Sequence, residues 1–198
     1  MRRPIFFSEA DFHHELAWQI RSDDPKVGIR VERPIDRFVG LGAVDILVIE
    51  GERQTAIEVK YVKSSLMHEC GGEKFSLPQH AFDFAAYDCC RDIERLEHLV
   101  KSGQADEGLL IVLTNHSGFW RASSAKPLLM APFALWEGRN LTGTLTWSPK
   151  AGDGTIRGRK TSILISQAYD LTWSDYSLVG AKRGTFRSCV IRVVPNPA

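Results

Sequence analysis

Three charged residues interrupt two neighbouring apolar runs of the sequence. Asp45 lies in the run 44–49, and Glu58 and Lys60 lie in the run 56–61. Side chains alternate along a strand, so Glu58 and Lys60 would share one face, and Asp45 can project toward them from the preceding strand. Two carboxylates beside a lysine suit a hard divalent cation with a bound water. The spacing therefore predicts an active site at this pair of strands.

The polar segment 50–55 separates the two runs, which is typical of two strands joined by a turn. The charged residues stand in an otherwise hydrophobic hairpin, where burying an unpaired charge costs on the order of several kcal/mol. They therefore need compensation. A bound metal ion would supply it, and a buried ion pair of Lys60 with Asp45 or Glu58 is the alternative.

A helix is predicted before the hairpin. Ser8 can cap its start, and apolar residues recur at helical spacing from Phe12 to Ile20, which predicts a helix over about 9–21. Glu15 flanks this apolar stripe and could face the strands, or it could be an ordinary acid at the edge of the stripe.

The chain after the hairpin shows no periodicity over residues 61–75, which predicts a loop beside the site. Ser76 and Gln79 then form a capping box with a proline in the first turn, which predicts a long helix ending near Lys101. The polar face of this helix, with Arg95 on it, is expected to be solvated. Gln79 is close in sequence to the loop and is a second-rank candidate for the site.

A continuous apolar run over residues 109–114 indicates a strand buried on both faces. Since it follows a strand and a helix, it completes a crossover that makes part of the sheet parallel. His116 follows this strand, where loops of α/β sheets often carry function, although a plain turn histidine is the simpler interpretation. Asp36, ahead of the hairpin, is a further second-rank candidate that could instead cap a turn.

The region beyond residue 130 is rich in turns and short apolar runs. Its strands are predicted at residues 133–136, 141–147, 163–168 and 190–194, with a shorter candidate at 171–173. Whether they extend the first sheet or form a separate layer is left open. From position 150 onward eight basic residues face three acidic ones, which suits a polyanion, although scattered solvated charge is the commoner cause.

The length of 198 residues suits a single domain, with a core over about 8–115 and a β-rich extension over about 130–198. With 43% hydrophobic and 25% charged residues, a disordered chain is disfavoured. The four cysteines lack metal or disulfide spacing and are expected to be free thiols. No apolar run suits a membrane helix or a signal peptide, so a cytoplasmic protein without membrane association is expected.

The order of a helix, a charged hairpin, a second helix and a strand resembles the core of the PD-(D/E)XK nuclease superfamily. That resemblance covers about residues 8–115, and Val44 stands where the motif has proline. It implies an α/β restriction-endonuclease-like fold, a mixed β-sheet flanked by helices, to which the C-terminal strands are added. The matching residues are Glu15, Asp45, Glu58, Val59 and Lys60.

The resemblance also implies a mechanism. Asp45, Glu58 and the Val59 carbonyl would bind Mg²⁺ or Mn²⁺, which lowers the pKa of a bound water. Lys60 would orient that water or stabilise the transition state, and Glu15 would hold a water or a second metal. The implied reaction is hydrolysis of phosphodiester bonds in nucleic acid, with DNA as the favoured substrate. Many relatives dimerise, so the resemblance allows a homodimer.

Further segments are similar to a family of uncharacterised bacterial proteins with this predicted fold, which extends the resemblance along the chain. These segments are residues 56–61, 91–96, 113–115, 119–120 and 174–177. Two other functions stay open. One is a catalytically inactive nucleic-acid-binding or interaction domain that keeps the fold, and the other is a metal-dependent hydrolase of a non-nucleic substrate.

Overall fold

The computed structural model describes residues 3–35, 42–122 and 129–195. The candidate Asp36 lies outside these ranges. The helices and strands, in chain order, are α1 (Glu9–Asp23), β1 (Gly28–Pro34), β2 (Ala43–Glu50), β3 (Arg53–Val62), β4 (Leu66–Cys70), β5 (Glu73–Leu77), α2 (Phe82–Lys101), β6 (Glu107–Thr114), β7 (Asn140–Leu145), α3 (Asp153–Ile156), β8 (Ile163–Asp170), β9 (Trp173–Leu178) and β10 (Thr185–Val193).

Six strands form a mixed sheet in the order β1-β2-β3-β6-β10-β9. Its β3 and β6 are parallel, with Glu58 opposite Leu110 and Lys60 opposite Val112, and the other pairs are antiparallel. The predicted hairpin and the predicted crossover through a long helix are both confirmed. Because β3 lies inside the sheet, it has a neighbouring strand on each side, β2 and β6.

The first helix begins as predicted. The Asp11 N–H donates to the Ser8 hydroxyl at 3.0 Å, and Ser8 adopts an extended conformation at the cap. Phe12 packs with Phe6 and Tyr61 in a cluster of aromatic rings between α1 and β3. This packing fixes which face of α1 meets the sheet, and hence which of its acids can reach the hairpin.

The predicted loop over residues 61–75 and the predicted capping box are wrong. Ser76 is paired with Met67 in the antiparallel hairpin of β4 and β5, and α2 begins six residues later, at Phe82. Phe75 and Leu77 are buried and flank the exposed Ser76. The alternating burial of a short strand therefore prevails over the local capping signal.

The C-terminal strands divide between two places. β9 and β10 extend the main sheet beyond β6, whereas β7 and β8 form a separate antiparallel hairpin. This hairpin is fastened to α2 by Glu97, whose carboxylate accepts hydrogen bonds from the backbones of Ser166 and Gln167 and from the Tyr169 hydroxyl, at 2.8 to 2.9 Å. The strand predicted over residues 133–136 is wrong, since that segment begins in a 3-10 turn and forms no described pairing.

Within the described ranges, the helices are too short or too polar to cross a membrane.

The longest helix, α2, buries one face against β3, β6 and β8 and carries charged residues along its length. Among these charged residues, Asp92 and Glu97 are themselves buried. The helix is therefore a central element of this fold with polar contacts on more than one side.

Candidate active site

Strands β2 and β3 separate at the end of the hairpin opposite to its turn. Side chains there accept hydrogen bonds from the β3 backbone in place of the paired strand. The regular pairing ends with Ile46 opposite Ile57. Beyond this pair, the Val59 N–H donates to Asp45 Oδ2 at 2.7 Å, and the Tyr61 N–H donates to Glu9 Oε2 at 2.7 Å. Buried backbone donors require partners. The main chain of β3 thus holds two carboxylates at the mouth of the hairpin.

The two faces of β3 differ as the alternation predicts. Val59 and Tyr61 point into the aromatic cluster under α1 and are fully buried. Glu58 and Lys60 point the opposite way, toward α2. The Val59 carbonyl accepts a long hydrogen bond from Lys60 Nζ, at 3.4 Å. The carbonyl therefore lies within reach of the charged groups at the mouth of the hairpin.

Four side chains, two from β3 and two from α2, form a charged quartet: Glu58, Lys60, Asp92 and Arg95. Lys60 Nζ lies 2.7 Å from Asp92 Oδ2, Arg95 Nη2 lies 3.0 Å from Asp92 Oδ1, and Arg95 also forms an ion pair with Glu58. The expected solvated face of α2 is therefore wrong at Arg95. Among the described residues, Lys60 forms its ion pair with Asp92, three residues before Arg95 on α2, and not with Asp45 or Glu58 as the alternative had it.

Glu58 is the most deeply buried member of the quartet, with no exposed surface. Neither of its carboxylate oxygens accepts a well-formed hydrogen bond from a described residue, although Oε2 is in contact with Arg95. Burial raises the pKa of Glu58, and the negative charges of Asp92 and Asp45 raise it further, against the opposing effect of Arg95. Glu58 thus lacks full compensation for its charge.

Two further members of the quartet, Lys60 and Asp92, also have shifted pKa values. Burial by itself would lower the pKa of Lys60, but the carboxylates of Asp92 and Glu9 outweigh it and raise the pKa above its ordinary value. Burial also raises the pKa of Asp92, against the effect of Lys60. Lys60 is therefore held as an ammonium group beside these carboxylates.

A cleft of about 940 Å³ opens on this site. Its walls come from the β2–β3 hairpin, α2 and the loop that joins β7 to β8. Gln79, a second-rank candidate from the sequence, also lines it, and its Oε1 accepts a hydrogen bond from the Ser65 N–H at 3.3 Å. The charged side chains that line the cleft are Glu9, Asp45, Lys60, Asp88, Arg91, Asp92, Arg95 and Arg159.

Glu9, which the sequence interpretation passed over, is the acid of α1 in this cleft. The residue is exposed as a whole, but its carboxylate is surrounded by protein and desolvation raises its pKa. Asp45 raises it further, while Lys60 opposes the shift. A signal was present in the sequence, because Glu9 stands three and four positions before Phe12 and His13, the buried residues of α1.

Glu15 is placed apart from the other candidates. Its Oε1 accepts a hydrogen bond from Gln19 at 2.8 Å, and its Oε2 lies 3.9 Å from Arg3. It lines a different groove, between α1 and Tyr176 of β9. Of the two acids, Glu9 lines the cleft and Glu15 does not.

His116 is also placed apart from the cleft. Its ring stacks on Phe82, with the ring centres 4.6 Å apart, and its Nδ1 accepts a hydrogen bond from the Gly118 N–H at 3.2 Å. Burial lowers its pKa. These contacts match the simpler interpretation, a histidine that completes a turn.

In the described part of the chain, no group of three His, Cys, Asp or Glu side chains has the geometry to hold a metal ion as it stands. The charges still suit a cation. Lys60 and Arg95 are outnumbered by four carboxylates, and one of these, Glu58, has buried oxygens without hydrogen bonds. Oxygen donors with excess negative charge are the chemistry that Mg²⁺ and Mn²⁺ prefer. The four carboxylates are Glu9, Asp45, Glu58 and Asp92.

Comparisons of the chain with protein-family models, curated proteins and solved structures find no match. The site combines the Lys60 ammonium group, which Asp92 holds in place, with Asp45 at the separated end of the hairpin. Its third component is Glu58, a buried acid whose charge is not fully compensated. Such a set can bind a cation and stabilise negative charge on a substrate.

Proposed function

We propose that this chain is a metal-dependent nuclease of the PD-(D/E)XK type, with a restriction-endonuclease-like fold and DNA as its favoured substrate. One observation carries the proposal. At the point where β2 and β3 separate, Asp45 is held against the Val59 N–H at 2.7 Å, and Lys60 opens onto the same cleft. Asp45 and the Lys60 ammonium group therefore line one cleft, and the Val59 carbonyl lies 3.4 Å from Lys60 Nζ.

The metal would be held by Asp45, Glu58 and the Val59 carbonyl, the oxygen donors that the PD-(D/E)XK resemblance implies. When bound, Mg²⁺ or Mn²⁺ supplies an activated water and offsets charge on the phosphate. Glu58 does not line the cleft and is paired with Arg95. Its use as a ligand therefore requires Arg95 to release it.

Lys60 contributes to catalysis through its charge and its fixed position. Asp92 holds Lys60 Nζ at 2.7 Å and favours the protonated form. An ammonium group fixed beside the substrate stabilises the negative charge that develops on phosphoryl oxygens in the transition state. Glu9, which accepts the Tyr61 N–H and lines the same cleft, would orient a water there.

The test is cleavage of supercoiled, linear duplex and single-stranded DNA by purified protein with Mg²⁺ or Mn²⁺. We expect cleavage of at least one form, its loss on chelation, and its loss in Lys60→Ala with the circular dichroism spectrum unchanged. Lys101→Ala, an exposed lysine at the end of α2, is the matched control and should cleave normally. Undiminished cleavage in both Lys60→Ala and Glu58→Ala would contradict the proposal.

The charged quartet itself favours a second candidate, an inactive nucleic-acid-binding or interaction domain. Each of its four members already has an ion-pair partner within the quartet. In this candidate the quartet has a structural role, which is to join β3 to α2. This candidate predicts metal-independent DNA binding without cleavage of any DNA form. Metal-dependent cleavage that is lost in Lys60→Ala would exclude it.

A further inference from the structure

The loop that joins β7 to β8, residues 146–162, forms one wall of the cleft; we refer to it as the β7–β8 arm. Its Arg159 makes two hydrogen bonds to the carboxylate of Asp88 on α2, at 2.8 and 2.7 Å. The guanidinium also lies over the ring of Phe84, 4.5 Å from the ring centre. A bidentate pair that also stacks on an aromatic ring restrains both position and orientation.

Aromatic residues fasten the arm a second time. The Tyr87 hydroxyl donates to the Thr161 carbonyl at 2.8 Å, and Trp147 Nε1 donates to the Arg159 carbonyl at 2.7 Å. The rings of Tyr87 and Trp147 stack with their centres 5.6 Å apart. The inner side of the arm is therefore built into the cleft, where Gly158, Arg159 and Thr161 line the space.

The outer side of the arm carries exposed cations. Lys150, Arg157 and Lys160 are all exposed, against one acid, Asp153. Lys150 and Arg157 form no ion pair with any described residue. Lys160 lies 3.4 Å from Asp153, but both side chains are more than half exposed, and such surface pairs hold each other weakly. These cations remain available to a partner of opposite charge.

The cleft cannot attract a polyanion by its own lining. Among the described residues, four acidic and four basic side chains line it, so their formal charges cancel. A substrate that carries a phosphate at every nucleotide needs positive charge close to the opening. The exposed side of the β7–β8 arm is positively charged and directly continues a wall of the cleft.

The backbone of the arm also permits close approach. Gly158 lies on the cleft wall with φ +73°, and apart from its two neighbours in the chain no atom lies within 4 Å of where a side chain would begin. A phosphate could therefore approach the main chain there without meeting a side chain.

We infer that the β7–β8 arm is the surface that binds the sugar-phosphate backbone of duplex DNA and directs it into the cleft, with Arg157 and Lys160 contacting phosphates. This inference rests on the proposed function and extends it from the catalytic residues to the substrate-binding surface. It assigns the C-terminal extension a function separate from the chemistry.

The test measures binding of a fluorescein-labelled DNA duplex by anisotropy, with chelator present so that no cleavage occurs, over a series of salt concentrations. We expect the double variant Arg157→Ala/Lys160→Ala to bind at least roughly tenfold more weakly near 0.1 M salt. The slope of log affinity against log salt concentration should also be less steep, because about two fewer counterions are released on binding. Lys26→Ala/Lys101→Ala removes the same charge at exposed positions outside the cleft lining and should bind like the wild type.

Unchanged affinity and salt dependence in Arg157→Ala/Lys160→Ala would overturn the inference. An equal loss in both double variants would also overturn it, since net charge alone would then explain the effect. The two proposals fail separately. If the wild type cleaves DNA with metal but the arm variant binds DNA equally well, only the inference about the arm is wrong. If binding depends on the arm but no DNA form is cleaved, only the proposed nuclease activity is wrong.

Discussion

Lys60 on β3 and Asp92 on α2 form an ion pair, with 2.7 Å between Nζ and Oδ2. Both side chains are mostly buried. The pair connects the strand that carries the proposed catalytic residues to the helix that forms the opposite wall of the cleft. It holds the ammonium group at a fixed position and in its charged form, which a catalytic lysine requires before substrate arrives.

Replacing Asp92 with alanine should destabilise the protein by about 3 kcal/mol, because it leaves Lys60 charged, mostly buried and without its main partner. Urea unfolding followed by circular dichroism measures this loss. Asp153→Ala removes the exposed partner of Lys160 and should change stability by less than about 0.5 kcal/mol. Equal stability of the Asp92 and Asp153 variants would show that Lys60 is held by other contacts.

Stability should fall with rising pH through the titration of Glu58. Burial and the neighbouring carboxylates raise the pKa of Glu58 from 4.5 to about 9 in the folded chain. The folded state therefore binds more protons than the unfolded state between these values, and this contribution to stability is present at low pH and lost as pH rises to about 9. Without metal, Glu58→Gln should reduce this pH dependence and be more stable than the wild type at pH 8.

Urea unfolding at several pH values between 5 and 9, with chelator present, tests this expectation. Glu94→Gln is a suitable control because Glu94 is a partly exposed acid on α2 that pairs with Arg91. If the free energy of unfolding changes with pH in the same way in the wild type and in Glu58→Gln, the raised pKa of Glu58 is contradicted.

Arg95 should compete with a divalent metal for Glu58, since its guanidinium already contacts the carboxylate that the metal would bind. Arg95→Gln should therefore bind Mn²⁺ about tenfold more tightly than the wild type, as removal of a nearby positive charge favours a cation. Calorimetric titration of Mn²⁺ measures this without any cleavage.

Arg91→Gln is the matched control for Arg95→Gln, because Arg91 lines the same cleft one helical turn away and pairs with Glu94 instead. Its effect on Mn²⁺ affinity should be the smaller of the two. Weaker Mn²⁺ binding by Arg95→Gln would show that Arg95 orders Glu58 as a ligand and does not compete for it.

Glu9 and Glu15 offer a comparison within one helix. Glu9 lines the cleft and accepts the Tyr61 N–H, whereas Glu15 faces Arg3 and Gln19. Metal-dependent cleavage should fall at least about tenfold in Glu9→Gln, the range expected when a group positioned at the reacting centre is lost. Cleavage should stay within about twofold in Glu15→Gln. A larger loss of cleavage in Glu15→Gln than in Glu9→Gln would show that Glu15, the acid predicted from the sequence, acts in the reaction.

Local pattern in the sequence determined much of this architecture. Helical spacing and a serine cap predicted α1, two apolar runs predicted β2 and β3, and a long apolar run after a helix predicted the crossover to β6. Alternation alone placed Glu58 and Lys60 on the opposite face from Val59, because side-chain direction in a strand depends only on position along it.

Only the tertiary structure decided which groups meet across elements. The choice of Glu9 over Glu15 depends on the rotation of α1 against the sheet, and the partners Asp92 and Arg95 depend on how α2 packs on β3. The capping signal at Ser76 was overridden by strand pairing. Short-range patterns fix the conformation of a segment, but contacts between distant segments follow from packing the whole core, which no single segment encodes.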